Sequence, residues 1–323
     1  MKKARLLTTL LTLFLATLLI IPTGCNDDDD DDDAINHFDV MTEYMQNNSM
    51  DLSDVLTGWI TTAANVEANG VTNYYIIDLR AASDFNAGHI EGAHNTTLGN
   101  ILTEAENATD PILVVCYTGQ SAAHGVAALR LSGYSDAKSM KFGMSAWHTD
   151  FAGSWNNNTG DIADGHTNWS ATNTIQTPVT FSAPEFDADG TTGSEILEER
   201  VEEVLANGFQ AVTNSDVLDN PNNYFINNYW AVSDVDQYGH ITSAYRIKED
   251  LTIADAGFMN LDPDAPVVTY CWTGQTSSVI TFYLNVLGYD AKSLKFGANG
   301  MIHSALQSHK WTTAAIQDFN YVQ

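Results

Sequence analysis

The stretch PILVVCYTGQSAAHGVAALRLSGY, residues 111–134, determines the fold that we predict for this chain. Its first residues form a short apolar run typical of a buried strand, and residues 121–134 have the apolar spacing of a helix that stops at a glycine. The segment AKSMKF, residues 137–142, then returns as a strand. Strand, helix and strand in this order imply a parallel crossover, so Cys116 lies at the carboxyl end of a parallel strand, where open α/β sheets place ligand sites.

The chain contains this unit twice. The second copy of the stretch is APVVTYCWTGQTSSVITFYLNVLGY, residues 265–289, and it aligns Cys271 with Cys116. Two further pairs of segments follow the same order: DAKSMKFG (136–143) with DAKSLKFG (290–297), and SDFNAGHIEGA (83–93) with SDVDQYGHITSA (233–244). This much similarity in one order is an internal repeat. We therefore predict an α/β protein with two tandem domains, each a parallel sheet flanked by helices.

The predicted organisation combines this repeat with shifts in composition. The segment between the copies is rich in Asn, Gly, Ser and Thr, which is typical of a linker. The predicted parts are a signal peptide (1–25), an acidic tether (26–35), a first domain (36–152), a linker (153–184) and a second domain (185–323).

The N-terminus predicts export. A basic start, MKKAR, precedes the apolar run LLTTLLTLFLATLLII and the sequence PTGC. Gly24 followed by Cys25 resembles a bacterial lipoprotein signal, in which Cys25 is the lipidated residue; a simple secretory signal or an uncleaved anchor is the alternative. We therefore expect a protein of the bacterial cell envelope, periplasmic or on the outer surface, attached to the membrane through an N-terminal lipid.

Charge and cysteine content restrict the partners. The chain has 41 acidic and 13 basic residues and a formal net charge of -28, which argues against nucleic-acid binding because that requires a basic surface. Small anions gain no long-range attraction either, so local dipoles must hold an anionic substrate. Cys116 and Cys271 are the only cysteines besides Cys25. In an exported protein they could form a disulfide, provided that their Cα atoms lie within about 7 Å of each other.

Each cysteine begins a loop suited to stabilising negative charge. The N–H groups and the dipole at the start of the following helix favour a thiolate. A glycine in the loop allows several amides to turn inward as an anion nest, and Ser121 or Thr276 is expected to cap the helix. Neither loop contains Lys or Arg. We predict that these two loops bind the substrate: Cys116, Tyr117, Thr118, Gly119, Gln120 and Ser121, and Cys271, Trp272, Thr273, Gly274, Gln275 and Thr276.

Four segments of the first copy, in this order, resemble the rhodanese (sulfurtransferase) family, specifically its tandem two-domain members. They are IIDLR (76–80), AGHIEGA (87–93), CYTGQS (116–121) and KFGMSAW (141–147). The resemblance implies that Cys116 attacks the outer sulfur of a small anionic donor such as thiosulfate and carries it as a persulfide. A thiol or cyanide would then accept the sulfur. The resemblance implies no cofactor and no metal ion. Related phosphatases use a longer loop that ends in Arg, so a six-residue loop without Arg favours sulfur transfer over phosphate chemistry.

The two copies differ around the cysteines. Asp78 and Arg80 are expected to form a structural ion pair beside the site, with substrate contact as the alternative. The sequences align Asp78-Leu79-Arg80 with Asn227-Asn228-Tyr229, so the second scaffold has diverged. Cys116 and Cys271 are both candidate catalytic residues, and Cys116 has the better preserved surroundings.

Other polar residues have structural interpretations. His89 and His240 are expected in buried turns rather than as catalytic bases. Lys138, Lys141, Lys292 and Lys295 either attract anions or line an exposed strand edge. The segment EFDADGTTGSEI, residues 185–196, lacks the final Glu of a calcium loop. Three functions remain open: a sulfurtransferase, a non-catalytic rhodanese-like module that binds a partner or a sulfur species, and a thiol–disulfide protein that pairs Cys116 with Cys271.

Overall fold

A computed structural model describes residues 35–172 and 174–323. The predicted signal peptide, the candidate lipidation site Cys25 and residues 26–34 of the predicted tether lie outside the described residues. Among the helices that the structure describes, none combines the length and the apolar character needed to cross a bilayer.

The first half of the chain forms a parallel sheet of five strands with helices around it. Its strands are β1 (Ile60–Thr61), β2 (Tyr75–Asp78), β3 (His94–Asn95), β4 (Ile112–Val115) and β5 (Lys138–Met140). Its helices are α1 (His37–Asn47), α2 (Leu52–Val55), α3 (Ala63–Asn69), α4 (Ala82–Ala87), α5 (Ile101–Ala105), α6 (Gln120–Leu131), α7 (Met144–Trp147) and α8 (Gly153–Asn156). The strand order is β1-β5-β4-β2-β3, and every pairing is parallel.

The second half repeats this arrangement. The strands that follow are β6 (Trp169–Ser170), β7 (Ala211–Val212), β8 (Phe225–Asn228), β9 (His240–Ile241), β10 (Val267–Tyr270) and β11 (Ala291–Leu294). The helices are α9 (Gly193–Ala206), α10 (Asn214–Asp219), α11 (Val232–Tyr238), α12 (Gln275–Val286) and α13 (Ala298–Met301). A parallel sheet has the order β7-β11-β10-β8, while β6 and β9 form an antiparallel pair. Two α/β halves, each with a parallel sheet flanked by helices, are therefore present as predicted.

Helices α6 and α12 join the two halves. All residues of α6 except Ser121 are buried, and all residues of α12 except Thr276 and Asn285 are buried. A helix with almost every residue buried must have neighbours on all sides. Each helix packs on its own sheet, and the two also pack along each other. The loops that precede them therefore lie close to the boundary between the halves.

Strand pairing corrects the alignment of the two copies. In the first sheet Asp78 pairs with Val115, and in the second sheet Asn228 pairs with Tyr270. Since Val115 and Tyr270 each precede the cysteine by one residue, Asn228 is the counterpart of Asp78. The alignment of Asp78 with Asn227 was therefore wrong by one residue. Side chains alternate between the two faces of a sheet, so this slip exchanges inward and outward residues.

The corrected register gives Arg80 a different counterpart. Trp230, and not Tyr229, occupies the position of Arg80 in the second half. Trp230 is fully buried. An aromatic ring therefore replaces a guanidinium group beside the second cysteine loop.

The first helix and the last residues that the structure describes each pack on the opposite half. Helix α1 packs on α9, and the Tyr283 hydroxyl donates to the Met50 carbonyl at 2.8 Å. At the other end, the Trp147 indole donates to the Asn320 carbonyl at 2.8 Å. Within the segment predicted as a linker, β6 pairs with β9 of the second half. Contacts therefore cross the predicted domain boundaries in both directions, and the boundaries at 36–152, 153–184 and 185–323 stay predictions.

Candidate active site

Cys116 lies at the carboxyl end of β4, where the sequence predicted it. Its sulfur accepts hydrogen bonds from the N–H groups of Gly119 at 3.1 Å and Ala122 at 3.4 Å. The side chain is 1% exposed. Two backbone donors at a helix N-terminus stabilise negative charge on this sulfur without a basic side chain.

The start of the helix differs from the expectation. Gly119, with φ of 82°, is the N-cap of α6, and Gly274, with φ of 75°, is the N-cap of α12. In the part of the chain that the structure describes, no side chain caps either helix. The prediction that Ser121 or Thr276 caps the helix was wrong, because each helix begins before that residue.

Three hydrogen bonds hold the carbonyl groups of the first loop away from the sulfur. The donors are Met144 N to the Cys116 carbonyl at 2.8 Å, Ser145 Oγ to the Tyr117 carbonyl at 2.9 Å and Trp155 Nε1 to the Thr118 carbonyl at 3.1 Å. The turn before Met144 is pressed against the loop, since a Cβ atom on Gly143 would lie 2.6 Å from the Gly119 nitrogen. With the carbonyls engaged elsewhere, the amides are left to face the sulfur.

Tyr117 forms the exposed edge of the first loop. It is 37% exposed, its hydroxyl donates to Asp84, and it accepts from the Ala81 N–H at 3.2 Å. Burial, and then the hydrogen bond with Asp84, raise the pKa of Tyr117. A cavity of about 370 Å³ opens beside this ring, and Asp150 and Tyr321 also line it. The surface next to the first loop is therefore aromatic and acidic.

Asp78 and Arg80 form the expected ion pair. Their charged atoms are 2.6 Å apart, and both side chains are buried. Arg80 also donates to the Gly88 carbonyl at 2.7 Å, and the Asn95 amide donates to the carbonyls of Asp78 and Arg80 at 2.9 Å. These contacts connect the end of β2 to the segments after α4, so the pair stabilises the scaffold of the site.

The two histidines that the sequence singled out have structural partners, and so does Lys292, but His89 is only half-buried and His240 lies in β9 rather than in a turn. His89 stacks on Phe85 with 3.8 Å between ring centroids, and His240 is buried with Nδ1 2.8 Å from the Ile241 carbonyl. Lys292 pairs with Asp290 at 2.7 Å. The remaining lysines differ in exposure: Lys138 and Lys141 are half-buried and Lys295 is exposed.

The acidic segment 185–196 provides helix-capping groups. The Glu195 carboxylate accepts from the N–H groups of Thr191 and Thr192 at 3.2 and 3.0 Å. Over residues 35–172 and 174–323, no group of three or more His, Cys, Asp or Glu side chains is arranged to hold a metal ion.

The sulfur of Cys271 has different neighbours. It accepts from the Ser277 N–H at 3.4 Å and lies 3.6 Å from the Ser277 hydroxyl, to which the thiol can donate. The Ser277 and Ser293 hydroxyls are 2.8 Å apart, and the Ser278 hydroxyl lies 3.3 Å from that of Ser293. The first copy has Ala122 and Ala123 where the second has Ser277 and Ser278. A buried hydroxyl network therefore lies beneath the second cysteine.

Aromatic rings enclose the second position of this loop. The Trp272 ring lies between the rings of Trp230 and His309, with centroid distances of 4.5 and 5.4 Å and interplanar angles of 8° and 12°. The Asn299 amide fixes the arrangement by donating to the carbonyls of Trp272 at 2.7 Å and His309 at 3.0 Å. Tyr117, the counterpart of Trp272, has a free edge instead.

Comparison with known proteins identifies the family. The sequence model described as Rhodanese-like domain matches residues 61–150. Thiosulfate sulfurtransferase GlpE of Shewanella oneidensis is 35% identical over 86 residues, which cover 26% of this chain and 84% of that protein. This chain belongs to the rhodanese family. A second relative, thiosulfate sulfurtransferase GlpE of Pseudoalteromonas translucida, is 30% identical over 96 residues, covering 29% of this chain and 90% of that protein.

A solved thiosulfate sulfurtransferase from Pseudomonas aeruginosa is also similar. It is 14% identical, and the match covers 82% of this chain and 48% of that protein, with a TM-score of 0.29. The family model matches the first half of the chain. For the second half, the rhodanese assignment rests on the repeated sheet order and the repeated cysteine loop.

The glutamine of each cysteine loop contacts the opposite half of the chain, which the sequence did not reveal. Gln120 accepts from the Phe296 N–H at 2.9 Å, although Gln120 belongs to the first loop and Phe296 to the second half. Conversely, Gln275 of the second loop packs on Gly119 of the first half. Both had been predicted to bind substrate. A pattern within one copy cannot reveal this contact, because it exists only between copies.

Both loop cysteines are free and buried. The Cys116 sulfur accepts from one loop amide and one amide of the first helical turn, whereas the Cys271 sulfur accepts from a helical amide, that of Ser277. The sequence also missed the contribution of Ala122 and Ser277, whose N–H groups reach the sulfur from the first helical turn. The signal available was their position six residues after each cysteine, on a predicted helix.

Proposed function

We propose that this protein is a sulfurtransferase of the bacterial cell envelope. It moves sulfane sulfur from thiosulfate or polysulfide to a thiol or cyanide through a persulfide on Cys116. The observation that supports this most directly is the Cys116 sulfur at the end of β4 with the Gly119 and Ala122 N–H groups directed at it. The rhodanese family and relatives named thiosulfate sulfurtransferases support the class of reaction.

The reaction proceeds in two covalent steps. The Cys116 thiolate attacks the outer sulfur of thiosulfate; a new S–S bond forms, the S–S bond of thiosulfate breaks, and sulfite leaves with the electron pair. Cyanide or a thiolate then attacks the outer sulfur of the persulfide and takes it, which regenerates the Cys116 thiolate. The Gly119 and Ala122 N–H groups stabilise the Cys116 thiolate that attacks in the first step and is released in the second.

Cys271 has a secondary place in this proposal. Its sulfur has one amide donor from the first helical turn, and its thiol can donate to the Ser277 hydroxyl. The Trp272 ring beside it is held between two other rings. We therefore assign most of the sulfur transfer to Cys116 and a slower reaction to Cys271.

Attachment to the membrane through a lipid on Cys25 is also part of the proposal. It is supported by the basic and apolar segments of residues 1–25 and by the Gly24-Cys25 sequence. Expression in a bacterial host followed by mass analysis of the N-terminal peptide tests it. A diacylated Cys25 is expected in the membrane fraction, and Cys25→Ala should move the protein out of that fraction.

The experiment for the activity is persulfide trapping. The reduced protein is incubated with thiosulfate or, separately, polysulfide, and intact and peptide masses are recorded. One added sulfur atom is expected on Cys116, and cyanide should remove it. Cys116→Ser should lower turnover at least about a thousandfold, as loss of a nucleophile does, whereas Cys271→Ser should retain most of it. A folded protein with free thiols that takes up no sulfur would instead be a binding module.

A further inference from the structure

The two cysteine loops contact each other through a reciprocal pair of glutamines. A Cβ atom added to Gly119 would overlap the Gln275 amide, lying 3.1 Å from its Cδ atom. A Cβ atom added to Gly274 would likewise overlap the Gln120 amide, 3.0 Å from its Cδ atom. Each loop glycine is therefore covered by the glutamine of the opposite loop. Both glycines have positive φ, which any other residue adopts only with strain.

The Gln275 side chain is unusual because it is buried without a partner. It is 1% exposed, and among the described residues neither its Nε2 nor its Oε1 has a hydrogen-bond partner. Gln120, by contrast, accepts from Phe296 and donates to the Thr118 hydroxyl at 3.1 Å. Buried polar groups in proteins are nearly always paired, so an unpaired amide requires an explanation. Gln275 directs that amide at the glycine whose N–H binds the Cys116 sulfur.

We propose that Gln275 is a positioning residue of the Cys116 site, although it belongs to the other half of the chain. Its side chain packs on Gly119 and holds it in the left-handed conformation. That conformation aims the Gly119 N–H at the Cys116 sulfur, 3.1 Å away. The proposal rests on the proposed role of Cys116 as the sulfur-carrying nucleophile.

This contact explains why the second loop keeps its backbone while its cysteine surroundings have changed. The second half has replaced Arg80 with Trp230 and Ala122 with Ser277, yet it keeps Thr-Gly-Gln in the loop. Substitutions around Cys271 leave the Gln275–Gly119 contact intact. Loss of Gln275 would affect the Cys116 sulfur through Gly119, whose N–H binds it.

Alkylation of the two cysteines tests the proposal without relying on turnover. The full-length protein and its Gln275→Ala variant are treated with iodoacetamide at about pH 7 and at about pH 10, and labelling of each cysteine is followed by peptide mass. We expect Gln275→Ala to slow Cys116 alkylation about tenfold at the lower pH, the effect of losing one hydrogen bond to a charged group. The rate at the higher pH should change little, because there the thiolate forms in either protein.

Controls separate positioning from general destabilisation. Thr281→Val changes another buried polar side chain of α12, six residues beyond Gln275, and should leave both alkylation rates unchanged. Gln275→Met keeps the length of the side chain without the amide, and should also slow Cys116 if Gln275→Ala does not fold. Thermal unfolding is recorded for every variant.

The outcomes are distinct. Selective slowing of Cys116 at the lower pH, with Cys271 unaffected, supports the proposal. An unchanged Cys116 rate, or equal slowing of both cysteines at both pH values, overturns it. If the wild-type protein takes up no sulfur from thiosulfate or polysulfide, the proposed function fails, while the alkylation result still decides whether Gln275 positions the Cys116 loop.

Discussion

The loops CYTGQS and CWTGQT show how far a duplicated site can change without changing its backbone. They follow β4 and β10, which have the same position in the strand order of the two sheets. In both loops a left-handed glycine is the N-cap of a buried helix. Beneath Cys116 lie alanines, and beneath Cys271 lies a network of serine hydroxyls. The backbone geometry therefore defines where a sulfur atom lies, and the side chains around it decide what that sulfur can do.

The second difference lies at the edge of each loop. In the first half Arg80 of the buried Asp78–Arg80 pair lines the same cavity as the exposed Tyr117. In the second half Trp230 takes the place of Arg80 and stacks on Trp272. The first half thus has a buried ion pair, in which each charge requires its partner, where the second half has an aromatic stack without charge. The Trp272 ring is therefore half-buried where the Tyr117 ring is exposed.

The largest expected effect comes from breaking the ion pair. Asp78→Asn leaves the Arg80 guanidinium buried without its counter-charge and should lower the free energy of unfolding by about 3–5 kcal/mol, measured by urea denaturation. Lys292→Gln is the matched control, since it removes a more exposed pair and should cost about 0–1 kcal/mol. An Asp78→Asn loss as small as that of the control would show that the pair is not needed for stability.

The free energy of unfolding should depend on pH through a histidine of α6 that α12 lacks. His124 of α6 is buried, with Nδ1 3.3 Å from the Ser278 carbonyl, and burial lowers its pKa to about 4. Its counterpart in α12 is Val279. Because the unfolded chain binds this proton more tightly, stability is present above about pH 6.5 and is lost as the pH falls toward 4, by about 3 kcal/mol.

His124→Val, which copies the second helix, should remove that part of the acid sensitivity. Urea denaturation of both proteins at pH 7 and pH 4 gives the difference, and the carboxylates common to both proteins cancel in it. Parallel losses of stability in the two proteins would contradict the prediction.

A smaller effect is expected from opening the second loop. Trp272→Ala removes the central ring of the stack with Trp230 and His309 and should raise the rate of Cys271 alkylation roughly tenfold, because thiol reactivity depends on access. The rate at Cys116 in the same molecules is the internal control. No increase at Cys271 would mean that the stack does not limit access to its sulfur.

The smallest effect should come from the hydroxyl beneath Cys271. Ser277→Ala removes an acceptor of the thiol proton, which favours the thiolate, and should raise the alkylation rate about two- to threefold. The reciprocal change, Ala122→Ser, should slow Cys116 by a similar factor. Equal rates in the variants and the wild type would show that the hydroxyl does not affect the sulfur.

Much of the fold could be predicted from local patterns. The apolar runs before Cys116 and Cys271 form β4 and β10, and the apolar spacing after them forms α6 and α12. These elements depend on residues that are close in sequence, so their patterns are visible there. The start of each helix was misplaced, because the left-handed glycine, and not the following hydroxyl residue, ends the loop.

The sequence by itself determined that two copies of one α/β unit exist and that each ends a parallel strand with a cysteine. Only the tertiary structure decided that Asn228 is the counterpart of Asp78, that Trp230 and His309 enclose Trp272, and that Gln275 covers Gly119. The physical reason is the range of the interactions. Strands and helices follow from neighbouring residues, whereas register, stacking and contacts between copies depend on side chains that meet only after the chain has packed.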